Sequence, residues 1–227
     1  MSRETRTSLS VMEEWIGPFA GRRILDVGCG HGALARALAK RGAVVTGIDP
    51  QDEAVAAAQL AVPDASFTRA SAEALPYPDG AFDAVVIHNA LHHVPEALMA
   101  GALREAARVS AGPVLVVEPL AEGSFFDAMR PVEDETEIRA QAQAAIAAAL
   151  ASGQLACLNE VEFDDRRVFS TPAAFLAKVV EVDPTRAPVA EREKDTVAAI
   201  MARVGEATDG GTALRQPHRV HLLARPA

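Results

Sequence analysis

A glycine-rich turn between a buried strand and a helix constrains this chain more than any other feature. The apolar run Ile24–Val27 is followed by three alternating glycines, Gly28, Gly30 and Gly32. Such a run is typical of a strand covered on both faces in a parallel sheet. Glycines let the backbone take positive φ and approach a ligand closely. A helical pattern begins at Ala33 and presents its free N–H groups to the same place. The stretch therefore predicts a site for a nucleotide-like ligand.

Two ligand classes compete for this turn. The spacing Gly28-x-Gly30-x-x-Ala33 fits the dinucleotide fingerprint, and Asp49 stands at about the distance expected for a ribose-binding acid. The second class is a cationic ligand. Asp26, within the strand, favours it, because a carboxylate there attracts a cation and repels the pyrophosphate of a dinucleotide. A tight turn with no ligand is the third interpretation.

Strand and helix patterns alternate through the first half of the chain, as in a doubly wound sheet. We predict strands over 24–27, 44–49, 65–70, 84–89 and 114–119. We predict helices over 9–19, 33–41, 52–60 and 96–109. The inner face of the last of these helices should consist of Leu98, Ala102, Leu103, Ala106 and Val109. Beyond them we expect a helix over 135–151 that either covers the pocket as a lid or packs on the sheet. Further expectations are extended segments at 160–163 and 168–169, helices over 171–180 and 191–204, and a closing strand over 219–225.

Three motifs carry a resemblance to a known family. The run Asp26-x-Gly28-x-Gly30-x-Gly32 resembles the first motif of class I S-adenosylmethionine-dependent methyltransferases. The string Phe82-Asp83-x-Val85-Val86, followed by Ala90-Leu91-His92-His93-Val94, resembles the small-molecule members of ubiquinone and menaquinone biosynthesis. The stretch Ser71-Ala72-Glu73-Ala74-Leu75-Pro76 resembles the D-A-x-x-L-P motif, with Ser71 in place of the acid.

The resemblance implies an α/β fold: a doubly wound, mostly parallel seven-stranded sheet of the Rossmann-like methyltransferase type, with a helical substrate-side insertion. It implies one methyltransferase domain over 1–227. The cofactor half would cover about 20–119, the substrate or lid half about 120–215, and the last strand about 217–225.

The same resemblance implies an enzyme that binds S-adenosylmethionine and leaves S-adenosylhomocysteine as product. The expected cofactor-binding residues are Asp26, Gly28, Cys29, Gly30, His31, Gly32, Asp49, Pro50, Ser71, Ala72, Glu73, His88 and Asn89. If the acceptor must lose a proton, a histidine near the fourth strand could act as general base, the candidates being His88, His92 and His93. We expect no metal, since His92 and His93 are adjacent and point in different directions on a helix.

Methyl transfer to a small molecule is an in-line displacement that needs alignment in a dry pocket more than a dedicated nucleophile. One alternative is an NAD-type oxidoreductase. Against it, the chain lacks the pattern of the short-chain enzymes, a Tyr and a Lys four residues apart, since Tyr77 is followed at that offset by Ala81. The other alternative is a non-catalytic S-adenosylmethionine-binding protein.

Composition narrows the partners. The net charge is −9 over 227 residues and basic residues are scattered, which disfavours nucleic acid as a partner. No apolar run approaches membrane-spanning length. Two cysteines, Cys29 and Cys157, fit a reducing compartment and predict small buried side chains. We therefore expect a cytoplasmic monomer or homodimer that acts on a small-molecule acceptor.

Overall fold

A computed structural model describes residues 3–226, which divide into two compact units. The larger unit contains Ser8–Glu118, Gln141–Val161 and the described residues from Arg219 onward. The smaller unit contains the described residues up to Thr7, together with Pro119–Ala140 and Glu162–His218. The second boundary along the chain therefore falls between Glu118 and Pro119, the last residues of the fifth predicted strand.

The described residues form nine strands and nine α-helices. The strands are β1 (Glu4–Thr5), β2 (Arg23–Val27), β3 (Val44–Asp49), β4 (Ser66–Arg69), β5 (Ala84–His88), β6 (Val114–Pro119), β7 (Ala156–Phe169), β8 (Glu206–Thr208) and β9 (Gly211–Ala224). The helices are α1 (Ser8–Ile16), α2 (Ala33–Ala39), α3 (Asp52–Ala61), α4 (Glu96–Val109), α5 (Ser124–Met129), α6 (Thr136–Ala151), α7 (Pro172–Val182), α8 (Ala187–Arg192) and α9 (Lys194–Val204).

A parallel sheet is the centre of the larger unit. Its strands follow the order β6-β5-β2-β3-β4, and every neighbouring pair in this run is parallel. Val27 of β2 is in register with Ile48 of β3 on one side and Ile87 of β5 on the other. The chain order reverses between β2 and β5, which is the place where ligands bind in open α/β sheets. The carboxyl ends of β2, β3 and β5 therefore form one edge suited to a ligand.

Apolar side chains on both faces of this sheet form the core of the larger unit. The predicted inner face of α4 is correct at Ala102, Leu103, Ala106 and Val109, but Met99 is buried where Leu98 was expected, and Leu98 is 39% exposed. Ala142, Ile146 and Ala149 belong to the same core cluster. The part of α6 within the larger unit therefore packs as an ordinary core helix.

The smaller unit has its own helical core. Buried side chains of α5, α7 and α9 and the start of β9 form one cluster, which includes Phe126, Phe175, Val197, Met201 and Leu214. α7 begins within one residue of the predicted start: the Thr171 hydroxyl accepts a hydrogen bond from the Ala174 N–H, and Pro172 occupies the first turn. β1 pairs in parallel with β7, and β8 pairs antiparallel with β9.

The fold class predicted from the sequence is confirmed, with differences at the start of the chain and in its second half. The described residues hold nine strands rather than seven, because β1 and β8 carry no clear pattern in so few residues. The closing strand begins at Gly211, well before the predicted start. The two extended segments are one strand, β7, and Glu193 divides the predicted last helix into α8 and α9. Cys29 is buried as expected, but Cys157 is exposed.

Among the described residues, no helix is long and apolar enough to cross a bilayer.

A buried ion cluster lies in the smaller unit. Glu135 accepts hydrogen bonds from Nε and Nη2 of Arg139 at 2.9 and 2.7 Å, and from Nη2 of Arg186 at 2.9 Å. Arg139 also donates to the Leu120 carbonyl and to Gln216 Oε1. The side chain of Glu135 is 3% exposed, and those of Arg139 and Arg186 are 4% and 7% exposed. One carboxylate thus partners two desolvated guanidinium groups.

We expect Glu135→Ala to lower the free energy of unfolding by about 3–5 kcal/mol, because it leaves two buried cations without that partner. Chemical denaturation measures the loss. Glu181→Ala is the control, since Glu181 forms an exposed pair with Lys178 and its removal should change stability little. A loss for Glu135→Ala no larger than the control's would contradict this role.

Candidate active site at the carboxyl edge of the parallel sheet

The glycine turn joins β2 to α2. The N–H groups of Gly28 and Cys29 donate to the Ile48 carbonyl at 2.8 and 2.9 Å, which fixes the turn against the end of β3. Gly28 has a φ of 75°, and a Cβ there would lie 2.5 Å from the Cβ of Ala90. Only glycine satisfies both the backbone angle and this close approach.

Gly30 differs from Gly28 in what surrounds it. Its φ is 50°, and a Cβ at this position would meet nothing within 4 Å. Packing against the protein therefore does not explain a glycine here. The bare backbone of Gly30 faces open space at the ligand-binding edge, as expected for a turn that a ligand approaches closely.

Asp26 is the buried acid of this edge. It is 1% exposed, and its Oδ2 atom has no hydrogen-bond partner among the described residues. Burial, and to a lesser extent the charge of Asp49, raise the pKa of Asp26 to about 7. An unpartnered buried carboxylate oxygen is costly for the protein alone. A cationic ligand group would satisfy it.

Asp49 ends β3 and holds two turns. Its Oδ2 accepts the Gly30 N–H and its Oδ1 accepts the Gln51 N–H, both at 3.0 Å. The residue is 8% exposed. Each carboxylate oxygen has further lone-pair capacity, so Asp49 can accept two ligand hydroxyls while it keeps both backbone bonds. The following residue, Pro50, is exposed.

The predicted adenine residues lie in the loop after β4. Ser71, Ala72 and Glu73 are all half-buried, and a turn closes between the Ser71 carbonyl and the Ala74 N–H at 3.1 Å. The loop starts beside the end of β3, since the Ala70 N–H donates to the Asp49 carbonyl at 3.2 Å. This contact brings the loop to the same edge as the glycine turn.

His88 and Asn89 lie where β5 ends. Both are half-buried, and the Asn89 N–H donates to the Val117 carbonyl at 2.8 Å. Asn89 has a φ of 54°, an uncommon value for a residue other than glycine. Its side-chain Oδ1 is buried without a partner among the described residues. Asn89 is thus a second unsatisfied polar group on this edge, and its backbone is strained as well.

The three histidines have different environments. His92 lies in a short 3-10 turn at 5% exposure, and its Nδ1 is 2.5 Å from Oε2 of Glu118. His93 is exposed, with its ring centroid 4.1 Å from that of His92. The sequence therefore placed three histidines close together, but the fold buries one, exposes one and leaves His88 half-buried at the strand end.

Glu118 is a further buried acid at this edge that was not among the predicted site residues. Its Oε1 accepts the N–H groups of Ala90 and Leu91 at 3.0 and 2.8 Å, while Oε2 contacts His92. Burial alone would raise the pKa of Glu118, but the charge of His92 and these hydrogen bonds lower it below its usual range. The available signal was an acid at the end of an apolar strand, as in Asp26 and Asp49.

The remaining candidates are at the margins of the site. Cys29 is buried, and its Cβ lies 3.0 Å from where a Cβ on Gly47 would be, so its side chain packs toward β3. His31 is exposed at the tip of the turn, and Gly32 is buried against Ala58 and Val62.

Known proteins resemble this chain at two levels, in the fold and in part of the sequence. The fold is that of Rossmann-like methyltransferases. A putative methyltransferase from Bacillus halodurans superposes with a TM-score of 0.64 at 19% identity, covering 97% of this chain and 99% of that one. A SAM-dependent methyltransferase from Geobacter sulfurreducens, solved in complex with S-adenosylhomocysteine, gives 0.59 at 16% identity, covering 99% of this chain and 93% of that one.

The similarity in sequence covers part of the chain. Residues 24–111 match the family described as "Methyltransferase domain". A ubiquinone biosynthesis O-methyltransferase from Paracidovorax citrulli is 45% identical over 87 residues, which are 36% of this chain. The matched stretch spans only 37% of that relative's length. The predicted resemblance to class I S-adenosylmethionine-dependent methyltransferases is confirmed.

We expect Asp26→Asn to remove a pH-dependent loss of stability. The folded-state pKa near 7 exceeds the unfolded value near 3.8, so the folded protein binds the extra proton between these values. Relative to Asp26→Asn, the stability of the wild type should therefore fall as the pH rises from about 4 to 7, by up to about 4 kcal/mol. Denaturant unfolding across this range measures the effect, with Asp209→Asn in an exposed turn as control. Parallel pH profiles for wild type and Asp26→Asn would contradict the raised pKa.

Proposed function

We propose that the larger unit binds S-adenosylmethionine at the carboxyl edge of β2, β3 and β5, and that the protein transfers the methyl group to a small molecule. The observation that carries this proposal is the buried, unpartnered Oδ2 of Asp26 beside the glycine turn. The bare backbone of Gly30 facing open space supports it. The family match over residues 24–111 and the S-adenosylhomocysteine complex of a fold relative agree with it.

Each polar group of the edge has a role in this proposal. Asp26 attracts the cationic methionine end, and the backbone from Gly28 to Gly32 allows close approach. Asp49 accepts the ribose hydroxyls. The loop residues Ser71, Ala72 and Glu73 recognise adenine, and Ser71 accepts from the amino group more weakly than the usual acid would. His88 and Asn89 border the methyl-bearing end.

The charge of this edge favours a cationic cofactor over a dinucleotide. Asp26 and Asp49 are both acidic and buried, and they lie close enough for the charge of Asp49 to raise the pKa of Asp26. A pyrophosphate at the glycine turn would add further negative charge to this low-dielectric site. An NAD-type oxidoreductase therefore fits the residues less well.

The chemistry required of the protein is alignment. S-adenosylmethionine, when bound, supplies a methyl group on a sulfonium sulfur, which is already an activated leaving group. The protein then needs to hold the acceptor in line with the methyl carbon and to exclude water. A small hydroxyl-bearing acceptor is supported by the O-methyltransferase name of the Paracidovorax relative.

We further propose that His88 serves the acceptor. It ends β5 on the ligand-binding edge and is half-buried. His92 is held by Glu118 at 2.5 Å, which favours a structural role, and His93 is exposed. An imidazole titrates near neutral pH and can remove the proton of a hydroxyl acceptor.

Replacing Gly30 tests the cofactor site. We expect wild type to bind S-adenosylhomocysteine in calorimetry and Gly30→Ala to bind at least about tenfold more weakly, because the new methyl group occupies the space proposed for the ligand. Gly21→Ala is a matched control: Gly21 precedes β2 at its other end, has a φ of 76° and also meets nothing within 4 Å. Both variants should lose about 1 kcal/mol of stability for the positive φ. Wild-type affinity in Gly30→Ala, or no binding by wild type, would refute the proposed site.

Replacing the histidines tests the acceptor side. With radiolabelled S-adenosylmethionine and a panel of small hydroxylated acceptors, His88→Ala should slow methyl transfer by about 10²–10⁴-fold and flatten the pH–rate profile near neutrality. Its affinity for S-adenosylhomocysteine should change little. His93→Ala is the control and should retain activity. A His88→Ala enzyme with the wild-type rate and pH profile would remove His88 from the mechanism.

A further inference from the structure

Residues 70–81, which make up most of the connection between β4 and β5, contain no helix or strand. This loop nevertheless carries the three residues proposed to recognise adenine. An irregular segment of this length can contribute a precise contact only if the surrounding protein fixes its backbone. Most of its side-chain contacts come from one face of α4, over about two turns of a helix that itself has no residue at the proposed site.

Glu105 and Arg108 of α4 bind both backbone polar groups of Leu75, its N–H and its carbonyl. Glu105 Oε2 accepts the Leu75 N–H at 3.0 Å, and Arg108 Nη2 donates to the Leu75 carbonyl at 3.0 Å. The side chain of Leu75 is 5% exposed in the core. Two side chains thus supply the hydrogen bonds that a neighbouring strand would supply in a sheet.

Arg108 continues along the loop. Its Nη1 donates to the Tyr77 carbonyl at 2.8 Å and to Asp79 Oδ1 at 2.9 Å. Its Nε and Nη2 donate to the two oxygens of Glu105 at 2.7 and 2.8 Å. With the bond to Leu75, one guanidinium makes five hydrogen bonds. Lysine could not replace it, because an ammonium lacks this planar arrangement of donors.

Electrostatics keep the pair ionised. The hydrogen bond from Arg108 is the main cause that lowers the pKa of Glu105, and the hydrogen bond to Glu105 raises the pKa of Arg108. The side chain of Glu105 is 17% exposed and that of Arg108 is 30% exposed. Glu105 is therefore an acceptor at any pH near neutrality, and its bond to Leu75 persists.

A third contact connects this pair to the proposed adenine residues. Gly101 lies one helical turn before Glu105, and a Cβ on Gly101 would be 3.3 Å from the Cβ of Glu73. Glu73 therefore packs directly on α4. The face formed by Gly101, Glu105 and Arg108 therefore contacts the loop along its length, from Glu73 to Asp79.

We infer that Glu105 and Arg108 are positioning residues that hold the loop of Ser71–Glu73 in the conformation that reads the cofactor base. This inference rests on the proposed function for its ligand, but its contacts stand without it. The pair touches no part of the proposed site itself and acts only through the loop. If the pair merely stabilised the fold, its removal would weaken the binding of all nucleoside ligands equally. If it positions the loop, its removal lowers the preference for one base over another.

Calorimetry and hydrogen exchange on Arg108→Met test the inference. The ligands are S-adenosylhomocysteine and S-inosylhomocysteine, which differ at the base amino group. We expect Arg108→Met to raise amide exchange in residues 72–79, to weaken S-adenosylhomocysteine binding about tenfold, and to reduce the preference for the adenine base. Arg203→Met is the matched control, since Arg203 lies exposed in the last turn of α9, outside the larger unit, and it should alter none of these quantities.

Two further variants keep the test decisive if Arg108→Met folds poorly. Arg108→Lys preserves the charge without the planar donors and should recover less than half of the lost base preference. Glu105→Gln can still accept from Leu75 but loses the ionic pair, and it should be intermediate. An equal loss of affinity for both nucleosides, or unchanged exchange in the loop, would overturn the inference. Absence of binding by wild type would instead refute the proposed function, and loop exchange would still report on the pair.

Discussion

The carboxylate of Asp49 is the contact on which the candidate site depends. By accepting the N–H groups of Gly30 and Gln51, it fixes the glycine turn after β2 and the start of the segment after β3 relative to each other. The same device recurs in the larger unit. Glu118 accepts two backbone N–H groups after β5, and Glu105 accepts one in the loop after β4. Charge-assisted bonds to backbone amides are strong, so irregular segments can be held without secondary structure of their own.

The first half of the fold could be predicted because its information is local. α4 begins and ends at the predicted residues, and so does β6, since a periodic apolar pattern bounded by turn residues determines both. The error at Leu98 and Met99 is one residue of helical phase, which two adjacent apolar residues leave undetermined. The glycine turn was predictable for the same reason, because the need for glycine is set by the φ of each position.

The second half resisted prediction because its elements depend on distant contacts. The residues of β7 are largely exposed or half-buried along its length, so the strand has no clear alternation in sequence. The first part of β9 includes Pro217 and several polar residues. For this reason the strand was predicted to start eight residues too late. Glu105 and Arg108 looked like the polar face of an amphipathic helix, and their partners lie about thirty residues away in the chain. A surface pattern and a positioning contact are indistinguishable until the fold brings the loop to the helix.

Asp26 stands apart from the other acids of this edge because its Oδ2 is buried without any hydrogen-bond partner among the described residues, although the backbone of Ala35 bonds to its carboxyl group. The larger unit thus carries a carboxyl whose burial and neighbouring charge favour the protonated form near neutral pH. A ligand with a cationic group removes this conflict: it supplies the missing partner, and the carboxyl can then ionise with a gain in binding energy. A neutral or anionic ligand offers no such gain. The unsatisfied acid therefore favours cationic ligands by charge before any other contact forms, which is a selectivity that the glycine turn alone cannot provide.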